Sequence, residues 1–321
     1  MRGMPAQAIV VAFVVSLLAV LLVLRFGRGL ALDRPNERSL HERPVPRTGG
    51  MGLLLGVLAV FLSGDLELWL PVLLAVILAA LSFADDIYGL PTLVRLGAHF
   101  AAAAVALWYW LTPIAPWALA LLILAVVWIT NLYNFMDGSD GLAGGMAAIG
   151  FGAYALAAPP GALALLCSAI AAASGAFLVF NFPPARVFMG DAGSIPLGFL
   201  AGALGLLGWR DDLWPLWFPL LAFAPFVADA TFTLLRRLIR RERIWRAHKE
   251  HYYQRLVRMG FGHRGTALIG YAAMAVCAGV ALFSREKDFS IQIWSFAAAS
   301  LCLAILAAWV DWRWKRGAGA A

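Results

Sequence analysis

Eleven long apolar runs constrain this chain more than any other feature of its sequence. A run of about 20 apolar residues is long enough to cross the hydrocarbon core of a bilayer as a helix. Of the 321 residues, 62% are hydrophobic and 13% are charged, whereas soluble domains average about 45–50% and about 25%. The sequence therefore predicts an all-α polytopic membrane protein, with 1–321 forming a single integral-membrane domain. The expected transmembrane helices centre on 7–25, 50–64, 68–84, 93–111, 115–133, 141–158, 161–181, 193–208, 214–235, 265–283 and 290–310.

Basic residues are distributed unevenly between the loops on the two sides of the membrane. If the N-terminus lies outside, four of the 25 Lys and Arg residues, namely Arg2, Arg210, Arg285 and Lys287, are outside and the rest are inside. Because Lys and Arg concentrate in cytoplasmic loops, we predict an external N-terminus and a cytoplasmic C-terminus. The net charge of +7 then suits anionic headgroups or phosphorylated substrates, and it does not indicate nucleic acid.

Four acidic motifs lie on the predicted cytoplasmic side of the membrane. Clustered carboxylates repel one another and need a cation, and Mg²⁺ is typically held by one or two carboxylates together with substrate phosphates. The neighbouring basic loops supply further positive charge. These features predict phosphoryl-transfer chemistry at an active site on the cytoplasmic face, with Mg²⁺ as the cofactor and Mn²⁺ as an alternative. The motifs are LDRPNERSLHERPVPRTGG, FADDIYGL, NFMDGSDG and FPPARVFMGDAGS.

The segment RAHKEHYYQR is a further candidate for phosphate binding. His248, His251 and Arg255 are spaced i, i+3 and i+7, which would place them on one face of a helix. We interpret this face as a binding surface for phosphate or pyrophosphate. A solvated basic helix face and a zinc site, which would need further ligands, remain alternatives.

Taken in order, the motifs resemble a known family over roughly 33–264. The matching pieces are DRPNERSLHERPVPRTGG, ADD, NLYNFMDGSDGLAGG, VFMGDAGS and AHKEHYYQRL. This order is similar to that of the polyprenyl-phosphate N-acetylhexosamine-1-phosphate transferases, the MraY/WecA group in glycosyltransferase family 4. The stretches PFVADATFTLLRR and HKEHYYQ look more like the WbpL-type branch, which initiates O-antigen, than like the triple-histidine loop of MraY.

The resemblance implies a reaction and a location. A UDP-N-acetylamino sugar and undecaprenyl phosphate would give an undecaprenyl-diphosphate sugar and UMP. The enzyme would be a multi-pass protein of the bacterial inner membrane that uses Mg²⁺, and its product would prime O-antigen or another surface polysaccharide. The lipid bilayer is an expected partner, and a homodimer is an open option.

The resemblance also implies roles for individual residues. Asp191 would bind the metal with help from Asn134, Phe188 would stack on uracil, and Asp140 would contact the base. Asp85 and Asp86 would orient or activate the prenyl phosphate. The expected catalytic residues are Asp85, Asp86, Asp137, Asp191, His248 and His251, and the expected substrate-binding residues are Arg43, Arg95, Asn131, Asn134, Asp140, Phe188 and Arg255.

Chemistry favours direct in-line attack, because a phosphate with a second pKa of about 6 is already mostly an oxyanion near neutral pH. A two-step route through a covalent aspartyl phosphate is the alternative.

Two other classes of protein share some of these features. A secondary transporter also places carboxylates in membranes, and a CDP-alcohol phosphatidyltransferase also combines a membrane, a metal and aspartates. Asp229, which lies within a predicted span, is expected to be a helix-packing partner or to support the catalytic groups.

Overall fold

The computed structural model describes residues 4–26, 32–33, 40, 44–63, 66–243 and 248–318. Within these ranges the chain is almost entirely helical, as the apolar runs predict. A single 3₁₀ turn, Leu66–Leu68, precedes the third helix, and a π turn, Val257–Phe261, follows the eleventh. The helices are α1 (Met4–Phe26), α2 (Gly49–Leu62), α3 (Trp69–Tyr88), α4 (Thr92–Leu111), α5 (Pro116–Phe135), α6 (Leu142–Ala157), α7 (Ala162–Asn181), α8 (Asp191–Arg210), α9 (Trp217–Ala222), α10 (Ala224–Ile239), α11 (Tyr252–Leu256), α12 (Gly262–Ser284) and α13 (Phe289–Ala318).

The helices confirm a polytopic membrane protein. In the described ranges, eight helical segments are long and apolar enough to cross a bilayer, and the segment Tyr252–Ser284 joins α11 to α12 through the π turn. Helices α2 and α6 are apolar but shorter, with 14 and 16 residues. Large apolar side chains such as Leu22, Trp108 and Trp294 are more than half exposed. An outer surface of this kind is stable against lipid and costly in water.

The predicted span 214–235 is wrong as a single helix. The chain instead forms α9 and α10, which are separated at Phe223. Pro225 lies in the first turn of α10, and a proline has no N–H group with which to continue the hydrogen-bond ladder of the preceding helix. After this break, Asp229 of α10 accepts hydrogen bonds from the first residues of α11.

A short strand pair departs from the purely helical prediction. β1 (Leu32–Asp33) pairs antiparallel with β2 (Val45–Pro46), and Asp33 lies opposite Val45. Arg47 follows β2, and its guanidinium lies 3.0 Å from the Asp33 carboxylate. The strand pair therefore fixes an arginine beside the acidic loops.

Helix α8 forms the centre of the bundle. It packs against α5 and α3, with α2 and α4 also in contact, and nearly all of its side chains are buried inside the protein. Close approach depends on glycine: a Cβ atom on Gly198 would lie 2.8 Å from Tyr133 Cβ, and one on Gly193 would lie 2.6 Å from the Cα atom of Gly50. Small residues let helix backbones approach each other in this way. The first residue of this central helix, Asp191, is thereby held in place.

Candidate active site

A polar cavity of about 330 Å³ lies at one end of the bundle, between the loop after α5 and the loop before α8. The two loops carry the motifs NFMDGSDG and VFMGDAGS, so the structure brings these sequence motifs together. The strand pair and α11 close the other sides. The residues that line the cavity are Asp33, Leu40, Arg47, Asn134, Phe135, Asp137, Gly138, Ser139, Asp140, Asn181, Phe188, Gly190, Asp191, Gln254 and His263.

The turn after α5 is held by hydrogen bonds from two neighbouring helices. Tyr133 Oη donates to the carbonyl of Ala143 at 2.7 Å, and the backbone N–H of Gly141 donates to Asn181 Oδ1 at 2.8 Å. Gly141 adopts φ +77° at the start of α6, a conformation that is easy for glycine and strained for other residues. Helix α5 ends at Phe135, so Asp137 and Asp140 lie in the turn that follows it. They line the rim of the cavity and do not share a helix face.

The loop before α8 is clamped to the start of α2. The N–H groups of Gly49 and Gly50 donate to the carbonyls of Phe188 and Met189, each at 2.9 Å. Gly190 adopts φ +71°, and a Cβ atom there would lie 2.3 Å from the carbonyl oxygen of Arg47. These contacts leave no room for a side chain at Gly190, so the glycine of FMGD lets the backbone turn directly into Asp191.

Asp191, Asn134 and Ser194 form a hydrogen-bonded group at the cavity. Ser194 Oγ donates to Asn134 Oδ1 at 2.7 Å, and Asn134 Nδ2 lies 3.5 Å from Asp191 Oδ2. In this orientation the amide N–H group of Asn134 faces the carboxylate and its oxygen faces Ser194. Direct binding of a metal through the Asn134 oxygen would need the amide to rotate, whereas Asp191 already presents a carboxylate oxygen.

Negative charge accumulates around Asp191. Asp86 and Asp137 both interact electrostatically with it, and Arg47 is a cation that acts on all three carboxylates. Burial, and then the charge of Asp191, raise the pKa of Asp137 well above its usual value, although Asp137 also accepts a hydrogen bond from the backbone of Gly190. Excess negative charge near a buried carboxyl group favours the binding of a cation.

The donor groups fit a divalent cation of the magnesium type. One carboxylate oxygen of Asp86, Oδ2, is buried without a hydrogen-bond partner, and such an oxygen needs either a proton or a cation. In the described ranges no three His, Cys, Asp or Glu side chains converge closely enough to form a complete metal cage. Magnesium does not require such a cage, since it commonly uses one or two carboxylates, water and substrate phosphates. A closed zinc site of the kind considered for the histidines would require one.

Asp85 lies next to Asp86 but is held by its own partners. Its Oδ2 accepts from Arg95 at 2.7 Å, and its Oδ1 accepts from the N–H of Leu90 at 2.7 Å. This pair fixes the turn between α3 and α4, and neither side chain lines the cavity. The predicted roles of Asp85 and Arg95 in positioning phosphate stay predictions.

The lining of the cavity combines an aromatic ring with polar groups. Phe188 lines the cavity, and Asp140 Oδ2 accepts from the N–H of Ala185, in the same loop as Phe188, at 2.9 Å. His263 Nδ1 accepts from the N–H of Asp140 at 3.2 Å, so its Nε2 carries the proton and donates to the carbonyl of Leu40 at 3.1 Å. A flat ring beside hydrogen-bonding groups can hold a planar heterocycle.

The histidine segment is not the helix that its spacing predicts. The chain is non-helical at His248, and His251 caps the short helix α11. The prediction that His248, His251 and Arg255 share one helix face is therefore wrong. The reason is a tertiary contact: Asp229 accepts from the backbone N–H groups of Tyr252 and Tyr253 at 2.9 and 3.0 Å, so α11 begins at Tyr252.

Asp229 also holds the imidazole of His251, whose Nδ1 lies 3.1 Å from Asp229 Oδ1. Both side chains are buried. The ring of His248 lies 4.9 Å from that of His251. Burial, followed by the nearby His251, lowers the pKa of His248 to about 4, so His248 is neutral at neutral pH and supplies no positive charge to a phosphate.

Three other predicted residues lie away from the cavity or outside the described ranges. Arg255 points to the far side of α11, where it pairs with Asp311 at 2.8 Å. The Asn131 side chain bonds the carbonyl of Val127 at 2.7 Å and contacts His99. Arg43 lies outside the residues that the structure describes.

Sequence reasoning missed Arg47, His263 and Gln254, all of which line the cavity. A signal existed for Arg47, because it directly precedes the Thr-Gly-Gly stretch that clamps the FMGD loop. His263 and Gln254 stand in a long basic segment. Only tertiary contacts distinguish them from its solvated side chains.

Comparison with known proteins identifies the class. The family model for glycosyl transferase family 4 matches residues 68–209. The chain is 33% identical over 290 residues to a Bacillus subtilis protein named "Probable undecaprenyl-phosphate N-acetylglucosaminyl 1-phosphate transferase". The aligned region covers 82% of this chain and 81% of that protein. It is 26% identical over 305 residues to the undecaprenyl-phosphate alpha-N-acetylglucosaminyl 1-phosphate transferase of Yersinia pestis, with 86% and 82% covered.

A third relative is the phospho-N-acetylmuramoyl-pentapeptide-transferase of Geobacillus kaustophilus, which is 32% identical over 248 residues, with 64% of this chain and 76% of that protein covered. The chain belongs to glycosyl transferase family 4. It is a membrane-embedded phosphoglycosyl transferase, as the order of its motifs predicts. Membership decides against the transporter and the CDP-alcohol phosphatidyltransferase.

Proposed function

We propose that this protein transfers N-acetylglucosamine 1-phosphate from UDP-N-acetylglucosamine to undecaprenyl phosphate, giving undecaprenyl-diphosphate N-acetylglucosamine and UMP. The observation that carries the proposal is the cavity in which the NFMDGSDG and FMGD loops meet, on a chain 33% identical to the Bacillus subtilis relative. The names of two relatives specify N-acetylglucosamine, and these relatives cover more of the chain than the muramoyl-pentapeptide transferase does.

The residues that line the cavity support a placement of the donor. The uracil ring would stack on Phe188 and be bonded near Asp140, while the diphosphate would extend toward Asp191 and Arg47. A UDP-sugar carries its phosphates a few ångströms from the base, and all four residues line this one cavity. The acceptor phosphate would enter from the side of Asp86.

The reaction would then be a single displacement. An oxygen of the prenyl phosphate attacks the β-phosphorus of the donor, the bond from that phosphorus to the bridging oxygen breaks, and UMP leaves with the α-phosphate. Arg47 would neutralise charge on the diphosphate, and Asn134 would hold the Asp191 carboxylate in place. Positioning and charge neutralisation supply most of the catalysis in phosphoryl transfer. The two-step route through an aspartyl phosphate remains the alternative.

We propose Mg²⁺ as the cofactor, with Mn²⁺ as a substitute. Asp191 would be its main protein ligand, Asn134 would join after rotation of its amide, and Asp86 and Asp137 would add negative charge nearby. Bound there, the ion would withdraw negative charge from the phosphates.

Release of UMP tests the proposal. Purified protein is incubated with Mg²⁺, undecaprenyl phosphate and, in separate reactions, UDP-N-acetylglucosamine or other UDP-N-acetylamino sugars. We expect UMP from UDP-N-acetylglucosamine only when the lipid phosphate is present. Turnover of only a different amino sugar, as the WbpL-like features of the sequence suggest, would reject the proposed donor but keep the reaction class.

Replacement of Asp140 tests the nucleotide end of the cavity. Loss of a buried hydrogen bond costs about 1–3 kcal/mol, so Asp140→Ala should raise KM for the UDP-sugar roughly 5- to 150-fold. Asp211→Ala, in a loop at the opposite end of α8, is the matched control. Steady-state kinetics with saturating prenyl phosphate measure kcat and KM for both variants. A loss of kcat with unchanged KM would place Asp140 with the chemistry instead.

We propose that all eleven apolar segments cross the bacterial inner membrane, with the N-terminus in the periplasm and the cavity facing the cytoplasm. The support is the excess of basic residues in one set of loops. A membrane-impermeant thiol reagent applied to intact cells should label Asp211→Cys and spare Ser139→Cys, after Cys302, which is exposed, is replaced by Ser. If only the cysteine at position 139 is labelled, the proposed orientation is wrong and the cavity faces the periplasm.

Asp229 provides a prediction about positioning. Asp229→Ala leaves two backbone N–H groups and His251 without their acceptor, so we expect α11 to shift and kcat to fall at least about 10-fold, since a displacement of about 1 Å can cost 10²-fold. Thr233→Val, which removes a 3.2 Å bond to the same carboxylate but leaves α11 anchored, should keep kcat within about 3-fold on the same estimate. Equal kcat for Asp229→Ala and the parent would show that the hydrogen bonds between Asp229 and α11 are not needed for turnover.

A further inference from the structure

A second polar pocket, of about 540 Å³, lies on the far side of α11 from the active cavity. It is formed by the end of α10, the segment before α11, α11 with its π turn, and the end of α13. It shares no lining residue with the active cavity. Six cationic side chains line it, namely Arg236, Arg240, Lys249, Arg255, Arg258 and Lys315.

The carboxylates in this pocket are outnumbered and already engaged. The two acidic residues that line it are Glu250 and Asp311. Asp311 accepts from Arg236 at 2.8 and 3.1 Å and from Arg255 at 2.8 Å, and Glu250 lies 3.6 Å from Arg240. Glu242, outside the lining, lies 4.0 Å from Arg240. Even with Glu242 included, the six cations outnumber the carboxylates, and the surplus of positive charge favours an anionic ligand.

Arg255 is a built element of the pocket rather than a solvated side chain. Its side chain is 6% exposed, and its Nε atom is buried without a hydrogen-bond partner. A buried N–H donor of this kind normally has an acceptor. Phosphate oxygens are good acceptors for arginine.

The pocket lies where a headgroup would be. It borders the end of α13, whose candidate span is Phe289–Arg316. Trp312 and Trp314 alternate with Arg313 and Lys315 there, and tryptophan together with Lys and Arg is typical of the membrane–water interface. The neighbouring groove between α10, α12 and α13 is apolar, with Phe232, Leu256 and Leu306 among its lining residues.

We propose that this pocket binds the phosphate headgroup of an anionic phospholipid, with part of an acyl chain in the apolar groove. The lipid would tie α13 to α11 and stabilise the segment that borders the active cavity through Gln254. This lipid would be distinct from the acceptor lipid, because the acceptor phosphate must reach the carboxylates of the active cavity and this pocket is lined by none of them.

Thermal unfolding in a neutral detergent tests the proposal. Phosphatidylglycerol, phosphatidylcholine or inorganic phosphate is added to the parent protein, to Arg258→Gln/Lys315→Gln and to Arg313→Gln/Arg316→Gln. The last pair carries the same charge change on or near α13, but Arg313 and Arg316 stack on Phe261 and Trp312 outside the pocket. If the first pair does not fold, Lys315→Glu replaces it, and Arg316→Glu is then its control.

We expect phosphatidylglycerol to raise Tm of the parent and of the control pair by about 3–6 °C, as for a ligand near saturation. Phosphatidylcholine should have no effect, and the pocket variant should lose more than half of the shift. An equal loss in both variants, or no shift in the parent, would overturn the proposal. A comparable Tm shift with inorganic phosphate would show that the ligand is a soluble phosphate and not a lipid. A raised KM for undecaprenyl phosphate in the pocket variant, with an unchanged Tm shift on adding phosphatidylglycerol, would assign the pocket to binding of the acceptor instead.

Discussion

Asp191→Asn should lower kcat by at least about 10²–10³-fold, the cost typical of losing one group that stabilises charge in the transition state. The substitution keeps the shape of the side chain and its place at the start of α8, but it removes the negative charge that faces Asn134 and the neighbouring carboxylates. If Asp191 is the main metal ligand, the Mg²⁺ concentration needed for half-maximal activity should also rise. Both effects are measured by steady-state kinetics over a series of Mg²⁺ concentrations.

The control for this experiment is Asp211→Asn, which makes the same chemical change in the loop just beyond the other end of α8. Its kcat and its Mg²⁺ dependence should match those of the parent protein. Full activity of Asp191→Asn at ordinary Mg²⁺ concentrations would exclude Asp191 as the essential ligand. An unfolded variant is recognised separately by its Tm in detergent.

Asp137→Ala should lower kcat by about 10²-fold while KM for the UDP-sugar stays within about 3-fold, because the lost interaction is one made in the transition state. Asp137 lies between the two loops of the cavity and accepts a hydrogen bond from the backbone of Gly190. Its removal therefore disturbs both the charge around Asp191 and the loop that positions it.

A second substitution separates these two effects of Asp137. Asp137→Asn retains an acceptor for the Gly190 N–H group but carries no charge. If charge is what matters, Asn and Ala should lose kcat to a similar extent, and if loop geometry is what matters, Asn should retain most of the parent kcat. A normal kcat in both variants would remove Asp137 from the catalytic group. Single-turnover measurements distinguish a slower chemical step from slower product release.

The sequence predicts much of this architecture because lipid leaves few choices. Apolar runs in a membrane must form helices, so most of the predicted spans match observed helices to within a few residues. The motifs NFMDGSDG and VFMGDAGS each follow or precede such a run, which is why their meeting at one end of the bundle could be expected. Gly190 and Gly141 mark the tight turns that bring Asp191 and Asp140 to that place.

The errors arise where contacts between distant residues decide the local structure. Pro225 breaks the span 214–235, and the break directs Asp229 to the N-terminus of α11, 23 residues further along the chain. The spacing of His248, His251 and Arg255 fits a helix, but capping by Asp229 outweighs helix propensity before Tyr252. Arg255 likewise turns away from the cavity because Asp311, 56 residues later, holds its guanidinium.

The fate of the β-phosphorus of the donor tests the central claim most directly. UDP-N-acetylglucosamine labelled with ³²P at the β position is incubated with the purified protein, Mg²⁺ and undecaprenyl phosphate, and the lipid is then extracted. Transfer of a sugar 1-phosphate moves the label into the lipid fraction and releases unlabelled UMP, in an amount equal to the labelled lipid. Retention of the label in released UDP, with only the sugar in the lipid, would contradict the account.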